Sequence, residues 1–179
     1  MSCQKSEKFP KSTSAPAAIE GAPHFKYRCT DYPPTQHGVE KLLKLFLQPD
    51  AKHARLTLPL KPSLSDCQKI FTDRLLAEKA CHRYSLDFRQ STIAIHPYHP
   101  SQTHIRLWNA STEEIRAWKH PAIENFPKGY QRIGKYLRPG LNIFRWKFVE
   151  PGQSMGMAYD GLICLNDRWV WIPKPWSFL

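Results

Sequence analysis

Leu141-Asn142-Ile143-Phe144-Arg145-Trp146-Lys147-Phe148-Val149 is the stretch whose pattern decides how this chain folds. Phe144, Trp146 and Phe148 recur at every second residue, and Arg145 and Lys147 fill the gaps. A period of two places the aromatics on one face of a strand and the cations on the other. Downstream, Met155–Tyr159, Leu162–Leu165 and Arg168–Ile172 read as further strands, separated by Asp160-Gly161 and Asn166-Asp167. Asp-Gly is a strong hairpin signal and Asn-Asp a weaker one, so a C-terminal β-meander is expected. The connection Gly152-Gln153-Ser154-Met155-Gly156 has the form G-x-S-x-G. A hydrolase of that type needs a later His, and none follows His120, so the segment reads as a Gly-bounded hairpin loop.

Upstream of the decisive strand, Thr103–Trp108 alternates and predicts a strand. Ser111-Thr112-Glu113-Glu114 then forms a capping box that opens a short helix ending before Pro121. Ala54–Leu60, Tyr84–Phe88 and Ser91–Ile95 also read as strands, the first two by alternation and the third by β-branching. Helices are expected from about His37, where Val39, Leu42, Leu43 and Phe46 share a face, and from about Leu64 to Ala80. Ser63 or Ser65 caps the second, and Cys67, Ile70, Phe71 and Leu75 supply its apolar stripe. The expected class is therefore α+β, a single domain over 24–179 with a largely antiparallel sheet and two to three helices. Residues 1–23, rich in Ser, Ala, Pro and Lys without apolar period, are expected to form a disordered arm.

The composition suits a globular chain: 179 residues, 41% hydrophobic and 23% charged. Its mean hydropathy of −0.52 and lack of a long apolar run predict no integral membrane association. The five cysteines are odd in number and widely spaced, with no C-x-x-C, which argues against a disulfide framework or a zinc site. No apolar segment follows the charged start, so a secretory leader is not expected and a cytoplasmic location follows. Lys and Arg outnumber Asp and Glu by 26 to 15, a net charge of +11, which draws polyanions.

That charge concentrates between Lys128 and Lys147, where no acid occurs. Lys128, Arg132, Lys135 and Arg138 are spaced to share one helical face, and Arg145 and Lys147 follow on the strand. Tyr130 and Tyr136 interleave with them as stacking candidates. Cations neutralise phosphates, and aromatic faces stack on unpaired bases, so these eight residues are the candidate nucleic-acid site of an accessory or regulatory protein. Single strands or structured RNA or DNA are the favoured partners. The alternative is a protein-interaction module, an inhibitor, immunity or accessory factor for an acidic protein, anchored by Trp169, Trp171, Trp176 and Phe178. A second alternative is a metal enzyme such as a nuclease built on His96, His99 and His104. The spacing of these three is no metal signature, so no cofactor and no catalytic residue is assigned, and a non-enzymatic role is favoured.

Overall fold

Four α-helices precede the first strand and two more separate it from the second, and the computed structural model describes residues 27–179. The proposed arm at 1–23 lies outside these residues. The order is α1 (Gln36–Leu43), a 3-10 turn (Lys44–Leu47), α2 (His53–Thr57), a 3-10 turn (Leu58–Leu60), α3 (Leu64–Ile70) and α4 (Arg74–Arg89). Then come β1 (His104–Ser111), α5 (Thr112–Ala117), α6 (Gly129–Ile133), a 3-10 turn (Gly134–Tyr136), β2 (Asn142–Val149), β3 (Gly156–Leu165), β4 (Arg168–Trp171) and a closing 3-10 turn (Pro175–Phe178). The four strands pair antiparallel in sequence order, so the fold is α+β with a meander at its C-terminal end.

The helical part is larger than the two to three helices expected, with six α-helices among the described residues. Tyr84-Ser85-Leu86-Asp87-Phe88 is not a strand but the end of α4. Leu76, Ala80, Tyr84 and Phe88 are its buried residues at intervals of four, so an alternating pattern was the overlap of a helical one. Ala54–Leu60 is likewise helical: Leu60 and Thr57 are buried while Leu58 faces solvent, a three-to-four residue spacing. Ser91–Ile95 is not a strand either: Ser91 turns the chain at positive φ, and 92–95 pair with none of the four strands.

The helix expected from Leu64 to Ala80 is two helices. Ser63 caps α3 in a capping box with Asp66, and Asp73 caps α4 by accepting from the Leu76 N–H at 2.7 Å. Between them Phe71 bridges to Leu137 as extended chain. The break turns Leu75, expected in the apolar stripe, out to 75% exposure.

The turn signals exchanged roles. Asp160-Gly161 does not reverse the chain: β3 runs through it, and Gly161 is the extra residue of a bulge between the pairs Phe144–Leu162 and Arg145–Asp160. Asn166 and Asp167, both at positive φ, make the two-residue turn between β3 and β4.

Trp146, Trp169, Phe144 and Phe148 are fully buried, and Trp146 stacks on Tyr159 at 5.3 Å. Cys29 and Cys164, 135 positions apart in sequence, form a disulfide with Cα atoms 6.3 Å apart. That corrects the expectation of no disulfide: wide spacing in sequence says nothing about distance once Cys29 lies along the β3–β4 turn, its N–H donating to Asp167 O. Cys67 and Cys81 are free.

Asp66 also carries an ion pair with Arg168 of β4, which ties α3 to the sheet. Burial pushes its carboxyl up, but the Ser63 hydroxyl, the Ser63 N–H and the Arg168 guanidinium together hold it below the usual carboxylate value. The pair therefore contributes stability above about pH 4, where an unfolded carboxylate is ionised, and loses it as pH falls through the lowered folded value. Asp66→Asn is expected to cost about 2 kcal/mol at neutral pH. In urea unfolding at several pH values it should flatten the acid limb; an unchanged limb would place the acid sensitivity elsewhere.

Candidate functional site

The cross-strand register shows which side chains share a surface. Arg106 pairs with Lys147, Trp108 with Arg145, Arg145 with Asp160, and Lys147 with Ala158. Residues directly opposite in an antiparallel pair point to the same face. Arg106, Trp108, Arg145, Lys147 and Ala158 thus lie on one face, and Leu107, Trp146 and Tyr159 on the other. At the far end of the same face, Ala110, Ile143, Ile163 and Val170 are fully covered. At this end Arg106 and Ala158 are exposed and Trp108, Arg145 and Lys147 half-buried. The sheet therefore presents one open, cationic half-face.

Two guanidinium groups lie close to the Trp108 ring. Arg106 Cζ is 5.4 Å and Arg145 Cζ 5.5 Å from its ring, both within cation–π range. Lys147 Nζ reaches the β2–β3 loop and donates to Ser154 O at 3.3 Å. Burial lowers the Arg145 pKa, while Asp160 and Tyr130 act to raise it, and a guanidinium remains a cation throughout. Asp160 stands opposite Arg145 across the β2–β3 ladder. Its Oδ1 accepts from the Tyr130 hydroxyl at 3.0 Å and from the Lys174 N–H at 3.2 Å. Burial raises its pKa against those two donors and the Arg145 and Lys174 charges.

The eight residues expected to bind nucleic acid are divided by the fold. Arg145 and Lys147 join on the open half-face. Lys128, the N-cap residue of α6, and Arg132 within it are exposed, and Tyr130 anchors this helix beside Asp160. The continuous helical face expected for Lys128, Arg132, Lys135 and Arg138 does not form: α6 ends at Ile133, and the chain is extended by Leu137. Lys135 lies over the half-buried Tyr136 ring at 4.9 Å. Arg138 is committed to α3, its Nε donating to Gln68 O at 2.8 Å. Tyr130 is fully buried, packed against Phe126 and Trp176, and has no face for a base.

The aromatic C-terminus closes the core. Trp169, Trp171 and Phe178 are buried. Trp176 is half-buried against Tyr130, with Gly129 so close beneath its indole that a Cβ there would overlap the ring. These four residues are packing groups, not exposed anchors.

The three histidines go separate ways: His96 Nδ1 lies 2.9 Å from Pro97 O, His99 Nδ1 2.7 Å from the Ser101 hydroxyl, and His104 Nδ1 3.1 Å from the Thr103 hydroxyl. Among the described residues no three His, Cys, Asp or Glu side chains gather as metal ligands. No helix among them is long and apolar enough to cross a membrane.

Arg106, Trp108 and Asp160 are the residues that sequence reasoning passed over. Alternation in β1 already places Arg106 and Trp108 on one face. Their meeting with Arg145 depends on a register that no single strand encodes. Compared with protein-family models, with curated proteins and with solved structures, the chain finds no match.

Proposed function

We propose that this protein binds single-stranded nucleic acid, or unpaired segments of structured RNA, as a non-catalytic accessory or regulatory protein. The observation that carries this reading is the indole of Trp108 close to Arg106 and Arg145 on the open half of a sheet. The cations neutralise phosphates and release counterions, which gives affinity without sequence preference. The Trp108 ring offers a base a stacking platform, and its neighbouring guanidiniums hold it in place. A net charge of +11 steers a polyanion to this face. Recognition of an acidic protein has less support, because the aromatic anchors it needs are buried.

The test is titration of labelled single- and double-stranded DNA and RNA at several salt concentrations, with protein stripped of co-purified nucleic acid. Trp108→Ala is expected to weaken single-strand binding about tenfold and leave the salt slope unchanged, since stacking involves no counterion. Arg106→Gln with Lys147→Gln should reduce the slope by about 1.4, two phosphate contacts at about 0.7 each. Absence of binding at low salt, or binding indifferent to all three residues, would overturn the proposal and move attention to an acidic protein partner.

A further inference from the structure

β4 stops at Trp171, opposite Leu162, so the first half of β3, Gly156–Asp160, has no strand on its outer side. A groove of about 810 Å³ occupies that place. It runs between the β3 edge, α4, the segment around Ile93 and the C-terminal chain from Trp171 to Phe178. The volume is in the range of small-molecule sites.

The lining is arranged in layers. Tyr159 gives the aromatic wall, with the buried Trp171 ring 6.0 Å behind it. Asp160 contributes a carboxylate, with Oδ1 held by Tyr130 and Lys174; among the described residues Oδ2 accepts no hydrogen bond. A carboxylate has about four acceptor positions, so one oxygen is left for a donor from outside. Lys79, His82, Arg83 and Lys174 line the same groove, all exposed. Lys79 Nζ is engaged by Phe178 O and Arg83 by Asp87, whereas the side chains of His82 and Lys174 hold no such partner among the described residues.

A flat ring with an N–H donor, carrying an anionic group, matches this sequence of aromatic wall, carboxylate and cation. The groove also adjoins the half-face: Asp160 is the register partner of Arg145, and Ala158 of Lys147. From Trp108 across Arg145 to Asp160 is two strand spacings, about 10 Å. We infer that the groove takes the terminal nucleotide of a strand that lies across the sheet and turns over the free edge of β3, with its base against Tyr159, its exocyclic amine donating to Asp160 and its phosphate at His82 and Lys174. Adenine, cytosine and guanine carry that amine and uracil does not. This assignment rests on the single-strand reading and specifies which nucleotide end the protein selects.

The test uses the full chain with AMP, CMP, GMP and UMP, followed by tryptophan fluorescence and calorimetry, and then hexanucleotides that differ only in an end base. The amino-bearing mononucleotides are expected to bind about tenfold tighter than UMP, the scale of one hydrogen bond to a charged acceptor. Asp160→Asn presents an amide that can donate to the uracil carbonyl, so the preference should vanish or reverse. An unchanged thermal melt shows that the variant folds. His82→Gln, on the exposed surface of α4, should weaken all four mononucleotides alike. Equal binding of all four, or none at millimolar concentration, overturns the groove assignment. If hexanucleotides then still bind in a salt- and Trp108-dependent way, without regard to the end base, the sheet-face reading stands and the groove alone fails. If mononucleotides discriminate but hexanucleotides ignore Trp108, the groove stands and the sheet-face reading fails.

Discussion

Gly161→Ala is expected to destabilise the protein by about 3–4 kcal/mol, lowering the melting temperature by roughly 10 °C in a chain of this size. Two independent costs add. Gly161 has φ +87, where any residue with a Cβ is disfavoured by about 1–2 kcal/mol. Its Cβ would also fall inside contact distance of the Ile172 carbonyl oxygen, which is backbone and does not swing away. Relief requires moving the chain after β4, and with it the bond from the Ile172 N–H to Gly161 O at 2.8 Å, worth about 1–2 kcal/mol more. Gly140→Ala is the control. Its φ of +81 is similar, but nothing lies within 4 Å of its Cβ position, so only the conformational cost applies. Thermal melts of the two variants separate strain from clash; equal shifts would show that the close approach to Ile172 yields without cost. The bulge has a functional corollary as well. Gly161 carries the extra residue that lets Asp160 stand opposite Arg145, so the variant should also lose base discrimination in the groove.

The legible part of this fold is the part whose signal is local. The alternation of Phe144, Trp146 and Phe148 needs no knowledge of neighbours, and β2 lies where it predicts. The Ser111–Glu114 capping box is a bond pattern written within four residues, and both of its bonds form. The apolar face of Val39, Leu42, Leu43 and Phe46 is buried as expected, although the helix tightens to a 3-10 turn at Lys44. What was misread has two causes. Short alternating runs fit a helix equally well when their apolar residues are four apart, as Tyr84 and Phe88 are. And a positive-φ glycine serves a bulge as readily as a turn, so Asp160-Gly161 identified the conformation without saying what the chain does next.

The candidate site was less legible because it is a product of register. Arg145 and Lys147 stood out in a run of cations, but such a run names residues, not the surface they share. Four residues at helical spacing share a face only if the helix continues, and the 3-10 turn at Gly134–Tyr136 ends it. Trp108 and Arg106 lie 37 or more positions before Arg145 and Lys147 and meet them only across the ladder. Asp160 hid inside a turn signal. Burial of Tyr130, by contrast, follows from ordinary chemistry: a phenol that reaches a carboxylate beneath the surface is both a packing group and a hydrogen-bond donor.

Reducing the Cys29–Cys164 disulfide is expected to lower stability by about 2–4 kcal/mol, with the chain-entropy limit for a loop of this length near 5 kcal/mol. The 135-position separation makes the effect large, because the cross-link constrains most of the chain in the unfolded state. The native contacts around it moderate the loss. Arg28 pairs with Asp167 at 3.3 Å, the Cys29 N–H donates to Asp167 O, and the Trp169 N–H donates to Tyr27 O, so this segment keeps its place when the bond opens. Dithiothreitol and the Cys29→Ser/Cys164→Ser double variant should therefore lower the melting temperature to the same value. Peptide mapping without reductant should recover the 29–164 cross-linked pair. Equal melting with and without reductant, or no such peptide, would show that the pair is not bonded in solution. Nucleic-acid affinity well below the melting transition should not change. Cys164 is separated from Trp108, Arg145 and Lys147 by the β3 bulge and lies on the opposite sheet face, so stability and binding are separable readouts. Disulfides persist in oxidising compartments and are kept open where glutathione and thioredoxin act. The oxidation state of this pair in protein taken directly from its cell therefore decides the compartment: a bonded pair rejects the cytoplasmic expectation, and an open one retains it.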